Sequence, residues 1–157
     1  ELSNHKLYPL FYREQHMAIM AEFENFLFCL VLREMIYNRE VLLANARNYE
    51  YGDTFSKLKA SINKTDNKLY EAISKCATKL VYHRFEQVCI LYDIVFGKNI
   101  SSYISKIEIE ENKRHNIVHR NGRHLNGELD KLSKEEVISF LENTEESIKG
   151  IWELIKS

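Results

Sequence analysis

Residues 133–157, SKEEVISFLENTEESIKGIWELIKS, give the clearest indication of the fold. Ser133 is followed three positions later by Glu136, which is the spacing of a capping box at a helix N-terminus. Beyond this box apolar side chains return at steps of three and four residues, as they do in a helix with one buried face. We therefore predict a long C-terminal helix whose buried stripe comprises Val137, Phe140, Leu141, Ile148, Ile151, Trp152 and Ile155.

The same period continues upstream and predicts an all-α bundle of four to five helices with a short loop or hairpin before the last helix. The loop is expected over residues 121–132, which contain two turn-forming Asn-Gly pairs. Four helices are expected before it. The first runs from about Gln15 to Ala46, and a short second helix is capped by Asp53. The third runs from Thr65 or Asp66 through Phe96 to a C-cap at Gly97, and the fourth from Ser101 or Ser102 to Asn121–Gly122.

Composition supports one helical domain over residues 1–157. The chain has only five Gly and one Pro, about 4% of its residues against about 12% in average proteins. So few turn-formers exclude a many-stranded sandwich or barrel, and 45% hydrophobic residues argue against disorder. Because the sequence starts at Glu1 and not at Met, we expect it to be excised from the C-terminal part of a longer protein.

The cysteines and the apolar runs indicate a cytoplasmic protein that has no membrane segment. Cys29, Cys76 and Cys89 are odd in number and widely spaced, and they form no zinc or CxxC motif. They are expected to be reduced core thiols. The longest apolar run, Phe26 to Leu32, is seven residues long, whereas a membrane span needs about 18. We expect neither a cofactor nor a bound metal.

Charge is concentrated in one short segment. The formal net charge of the chain is −1, yet residues 113–124 contain four basic residues and no acid. Such a cluster is a candidate site for an anion or a phosphate; the alternative is a solvated basic helix end. The cluster consists of Lys113, Arg114, Arg120 and Arg123, with His115, His119 and His124 among them.

The residue types in this cluster suit phosphodiester chemistry. On a helix His115 and His119 lie one turn apart on the same face, and the long side chain of Arg114 reaches the same space. A guanidinium offers a planar fork of donors that matches phosphate oxygens. An imidazole titrates near neutrality and can transfer protons to and from ribose oxygens. An alternative is a metal site that uses both histidines and Glu111, although the sequence offers no compelling third ligand.

The string RHNIVHRNG over residues 114–122 ends a late helix of an all-helical domain. In this setting it resembles the HEPN family (higher eukaryotes and prokaryotes nucleotide-binding domain), whose motif is Arg-x4-His with a polar residue after the Arg. The resemblance covers the architecture of most of the chain and specific residues over about 114–122. It implies that Arg114 and His119 are catalytic, with His115 in the polar position, where Asn or Asp is more usual.

The resemblance also implies an activity and its partners. HEPN ribonucleases cleave RNA without a metal, leaving a 2′,3′-cyclic phosphate and a 5′-hydroxyl, and they dimerise so that two motifs face one cleft. His119 would be the acid or base, and Arg114 would stabilise the charge that grows on the phosphate. The residues expected to bind flanking RNA are Lys113, Arg120, Arg123 and Asn121.

The biological setting implied is a toxin or an anti-phage defence system, with an antitoxin or an upstream sensor domain as candidate partner. Some HEPN toxins carry a Tyr two residues past the His, which nucleotidyltransferase antitoxins modify. Asn121 stands there in this chain, so we do not expect that particular partnership. The alternative function is a catalytically inactive HEPN-fold module that dimerises or binds RNA or nucleotides within a larger protein.

His16 and His83 are expected to be structural or surface histidines.

Overall fold

The structure is a computed structural model that describes residues 8–129 and 131–157. These residues form eight helices and no strand. The all-α class is confirmed, and the predicted number of four to five helices is wrong. The helices are α1 (Tyr8–Tyr37), α2 (Arg39–Asn48), α3 (Ser56–Lys59), α4 (Asp66–Lys79), α5 (Phe85–Phe96), α6 (Ser101–Glu108), α7 (Glu111–Arg120) and α8 (Lys134–Lys156).

The count is higher because three long predicted helices are each divided at a short break. The first break is at Asn38 (φ −127°, ψ 38°) between α1 and α2. The second begins where Leu80 is extended (ψ 138°) after α4, and the third is the turn at Ile109 and Glu110 between α6 and α7. None of these breaks contains Gly or Pro, and the apolar period continues across them because both flanking helices bury a face. The sequence pattern therefore does not show the changes of direction.

Other predicted helix ends agree with the structure, with two exceptions. The first is the start of α1, which lies at Tyr8 and not at about Gln15. The backbone N–H of Glu136 donates to Ser133 Oγ (3.1 Å), and the Ser133 N–H donates to the Glu136 carboxylate (2.8 Å), which completes the capping box. Gly97 ends α5 in the left-handed region, at φ 63°. Thr65 precedes α4 as predicted, whereas α3 begins after Phe55, so Asp53 is not its cap.

The core forms around α1, which packs against α2, α4, α5, α7 and α8. Phe23, Leu27 and Val31 are fully buried, and the Tyr92 hydroxyl of α5 donates to the Leu27 carbonyl (2.8 Å). This wide burial fits the broad apolar face of the helix, since a helix that contacts neighbours on several sides needs more than one apolar stripe.

The last helix lies parallel to α1. His16 contacts Phe140, with ring centroids 4.6 Å apart, and further along both helices Arg33 lies over the Trp152 ring. The N-termini of α1 and α8 are therefore at the same end of the bundle.

Two residues are exposed although the sequence predicts that they are buried, Leu141 of the α8 stripe and Cys29. No helix within the described ranges is long and apolar enough to cross a membrane.

The capping box provides a test of the α8 start. Ser133→Ala removes the acceptor for the Glu136 N–H and should lower the free energy of unfolding by about 1 kcal/mol. Urea denaturation followed by circular dichroism measures the change. Ser139→Ala, at an exposed interior position of the same helix, is the matched control and should cost nothing, because Ala is the better helix former. Equal losses in both variants would contradict the role of the cap.

Candidate functional site

The basic cluster lies on α7 and on the turn that follows it. α7 ends at Asn121, the only non-glycine residue with a positive φ (52°) in the described part of the chain. Gly122 is also left-handed (φ 72°), and its N–H donates to the Asn116 carbonyl (2.8 Å). The chain then turns back through a small hairpin, in which Arg123 and Leu129 form an isolated antiparallel bridge. The predicted loop or hairpin is therefore present.

His115 and His119 lie side by side on the exposed face of α7. Their ring centroids are 4.7 Å apart, as the four-residue spacing requires. The pKa of His115 is lowered, first by loss of hydration around the ring and then by the positive charges of Arg120, His119 and Arg114; Glu111 acts in the opposite direction. The His115 imidazole is therefore neutral at pH 7 and accessible to a ligand.

Arg114 faces away from the two histidines and towards α1. Its Nε lies 3.2 Å from Glu24 Oε1, and both side chains are about four-fifths buried. The other Glu24 oxygen lies 3.6 Å from His83 Nδ1, in the segment between α4 and α5. The sequence did not indicate this acidic partner. The contact is an ion pair without a hydrogen bond, so Glu24 partly offsets the charge of the guanidinium.

Asn116 organises the end of α7. Among the ten residues of α7, all of which the structure describes, it alone is buried. Its Oδ1 accepts a hydrogen bond from Arg120 Nη1 (2.6 Å), and its Nδ2 lies 3.3 Å from His124 Nδ1. Sequence reasoning missed this residue. The available signal was an Asn in a helix interior, where its helix propensity is poor and a side-chain role is the usual reason for its presence.

The ammonium group of Lys113 forms ion pairs with two carboxylates. Its Nζ lies 3.2 Å from Glu110 Oε2 and 3.3 Å from Glu136 Oε1, which ties the start of α7 to the capping box of α8. Partial burial alone would lower the pKa of Lys113, but the two carboxylates outweigh it and the pKa is raised. Lys113 therefore links helices here, and its charge is largely compensated.

Glu110 also joins α7 to α1. Its Oε2 lies 3.0 Å from Nε2 of His16, a side chain that is only 1% exposed. Burial acts to raise the pKa of Glu110, but the hydrogen bond from His16 and the charge of Lys113 more than offset it, so the pKa is lowered. His16 and His83 thus have the structural roles expected of them.

The remaining predicted RNA-binding residues stabilise the turn after α7. Arg123 Nη1 donates to the Gly127 carbonyl (2.9 Å), and the Asn121 carbonyl accepts from Arg13 Nη1 of α1 (3.2 Å). Both side chains are exposed, so these contacts leave them accessible.

Three polar residues of α1 hold this site. Arg13, His16 and Glu24 are separated by three and eight residues, which places them on one face of the helix. They contact Asn121, Glu110 and Arg114 respectively. This stripe is interrupted by Met20, which is fully buried. Among the described residues no group of three or more His, Cys, Asp or Glu side chains is arranged to hold a metal ion, so the alternative that uses Glu111 gains no support.

The end of the bundle that carries the site exposes many apolar side chains. Leu125, in the hairpin, is 87% exposed. Exposed apolar groups of this number at one end are typical of a surface that contacts another molecule. They come from the first turn of α1, the second turn of α8, α7 and the hairpin: Tyr8, Leu10, Phe11, Val118, Leu125, Leu129, Ile138 and Leu141.

Comparisons of this chain with protein-family models, with curated proteins and with solved structures give no significant match.

Two glycines of the hairpin form a matched pair for testing how the site is held. Both have positive φ, so replacing either by Ala should cost about 1 kcal/mol of unfolding free energy. A Cβ on Gly122 would in addition overlap the Arg13 guanidinium, whereas a Cβ on Gly127 meets nothing. Gly122→Ala should therefore cost more than Gly127→Ala in urea denaturation.

The additional loss of unfolding free energy in Gly122→Ala is due to Arg13 if it disappears in a protein that lacks the Arg13 side chain. In an Arg13→Ala protein the two glycine substitutions should cost the same, which a double-mutant cycle measures directly. An excess that persists without Arg13 would show that the α7 turn is not held by α1 in this way.

Proposed function

We propose that this chain is a metal-independent endoribonuclease of the HEPN type, which acts as a dimer in the cytoplasm in a toxin or anti-phage defence setting. The observation that carries the proposal is the pair of adjacent, exposed imidazoles of His115 and His119 at the basic end of α7, with Arg114 directly before them in the same helix. Two proton-transfer groups and a guanidinium are what phosphodiester cleavage by an internal nucleophile needs.

In the proposed reaction the ribose 2′-oxygen attacks the neighbouring phosphorus while the bond from phosphorus to the 5′-oxygen breaks. One imidazole accepts the 2′-hydroxyl proton and the other protonates the leaving 5′-oxygen. The products are a 2′,3′-cyclic phosphate and a 5′-hydroxyl, and no water is consumed. The lowered pKa of His115 favours it as the acceptor, with His119 as the donor. Arg114 supplies charge and hydrogen bonds to the phosphoryl oxygens.

A dimer supplies what a single copy does not bring together. Arg114 and His119 are five residues apart, about 140° around a helix axis of 3.6 residues per turn, so they project to different sides of α7. In the proposed dimer two copies meet through the exposed apolar end with their α7 helices facing one cleft, and Arg114 exchanges Glu24 for a phosphate oxygen next to the His119 of the other copy. The apolar surface around α7 supports this arrangement, since its burial would drive association.

The second candidate function is an inactive module of the same fold that binds RNA or nucleotides or only dimerises. The ion pair between Arg114 and Glu24 favours it, because a guanidinium that is four-fifths buried and partly neutralised can hold α7 against α1 without acting on a phosphate. The two functions differ in whether RNA is cleaved, and activity measurements on variants separate them.

The ribonuclease proposal predicts cleavage of RNA in the presence of EDTA, with cyclic phosphate ends that mass spectrometry identifies. His119→Ala and Arg114→Ala should each lower the rate at least about 100-fold, the usual effect of removing an acid–base or charge-stabilising group. Arg47→Ala, at an exposed arginine that pairs with Asp66 on another part of the surface, is the control and should leave the rate unchanged. Full activity in a correctly folded His119→Ala protein would overturn the assignment.

Mixing the two inactive variants tests whether the site is shared. If Arg114 and His119 act across a dimer, the Arg114→Ala and His119→Ala chains together form heterodimers that have one intact site. An equimolar mixture should then recover about a quarter of the wild-type rate. A site within one chain recovers nothing, which would contradict the shared site and leave the activity assignment standing.

The pH dependence follows from His115. A general base works only when it is unprotonated, so activity should rise with pH as His115 loses its proton. Because the pKa of His115 is lowered, the midpoint of this rise should lie below the ordinary histidine pKa of about 6.5. A pH profile of kcat/KM shows this limb. In His115→Gln the limb should be lost together with most of the rate, whereas an unchanged profile would remove His115 from the proton transfers.

A further inference from the structure

A second basic region lies far along the chain from the α7 cluster. Residues 56–84 contain seven Lys and Arg against two acids, a net charge of +5 that exceeds the +4 of residues 113–124. Averaging over residues 1–112 conceals this region, because acidic residues elsewhere in that range, four of them in α1, cancel it. In the structure the segment comprises α3, α4 and the turn that leads into α5.

This region borders an open cavity of about 810 Å³ between α3, α4 and the start of α5. The basic side chains that line it outnumber the single lining carboxylate, Glu71, by six to one. Among the described residues none of these six forms an ion pair with an acid, which differs from Lys113, Arg47 and Arg114 elsewhere in the chain. The six are Lys57, Lys64, Lys68, Lys75, Lys79 and Arg84.

The helix α4 holds half of these charges at fixed spacing. Lys68, Lys75 and Lys79 are separated by seven and four residues, so they lie on one face of α4. The opposite face is anchored in the core by Leu69 and Ile73, both fully buried. The three ammonium groups are therefore carried by a rigid element. Six like charges around one concave surface repel one another, and this repulsion is relieved when an anion binds.

The cavity also has apolar walls. Phe55 and Leu80 line it and are half-buried against the core, and Val81 is exposed beside them. Cys76 lines it as well, but burial raises the pKa of its thiol to about 11, so at pH 7 the thiol is protonated and is a poor nucleophile. The lining is therefore suited to binding and not to covalent chemistry.

We propose that this cavity binds a small molecule that carries at least two phosphate groups next to an apolar or aromatic part. The charge surplus exceeds what one phosphate neutralises, and the apolar walls give the uncharged part a surface to contact. A concave site of about 810 Å³ is in the size range of small-ligand pockets, and this size favours a compact ligand over a continuous strand of RNA. No residue of α7 lines it, so the site does not depend on the ribonuclease proposal.

Calorimetric titration tests the proposal with ATP and pyrophosphate as probes, and with inorganic phosphate, adenosine and a single-stranded oligoribonucleotide for comparison. ATP should bind more tightly than pyrophosphate, and both more tightly than phosphate or adenosine. Lys75→Glu/Lys79→Glu should weaken ATP binding by at least about tenfold, because two cation–phosphate contacts become repulsive. Lys75→Gln/Lys79→Gln should weaken it less, and it serves as the test if the charge reversal impairs folding.

Two controls make the outcome specific to this cavity. Lys98→Glu/Lys149→Glu makes the same change in net charge outside the cavity lining and should leave ATP binding within about twofold. Arg114→Ala, in the α7 cluster, should also bind ATP like the wild type. The proposal is overturned if the distant lysine pair weakens binding as much as the cavity pair, if the oligoribonucleotide binds more tightly than ATP, or if no phosphorylated probe binds.

Discussion

The packing of α7 against α1 positions the candidate site. α1 is surrounded by neighbours, and its apolar side chains account for much of the core. On one face, however, it carries Arg13, His16 and Glu24. These three side chains contact, in order, the turn that follows α7, Glu110 just before α7, and Arg114 within α7. The helix that stabilises the fold therefore also sets the position of the candidate site.

This arrangement separates positioning from chemistry. The side chains of α7 that face inward, Asn116 and Arg114, have protein partners, whereas His115 and His119 on the outer side are exposed beside each other. Glu110 and Lys113 further tie α7 to α8. A helix of ten residues would be marginal on its own, so these contacts explain how so short an element can present two imidazoles at a defined distance.

The chain presents two basic surfaces of different construction. In the α7 cluster Lys113 and Arg114 are compensated by neighbouring carboxylates, and the accessible groups are the histidines and the exposed arginine of the hairpin. In the α3–α4 cavity the six cations are without acidic partners in the described part of the chain, and they surround an apolar interior. The first surface suits proton transfer next to a phosphate, and the second suits retention of a polyanion.

Four features follow from the sequence alone: the helical class, the capping box of α8, the helix ends at Gly97 and at Asn121–Gly122, and the adjacency of His115 and His119. Each of these depends on local spacing along one helix or turn. The remaining features come from tertiary contacts: the breaks at Asn38, after α4 and at Ile109, the partner of Arg114, the pairing of Lys113 with two carboxylates, and the convergence of six cations from three elements on one cavity. These features depend on contacts between residues distant in the chain, so no local period or motif encodes them.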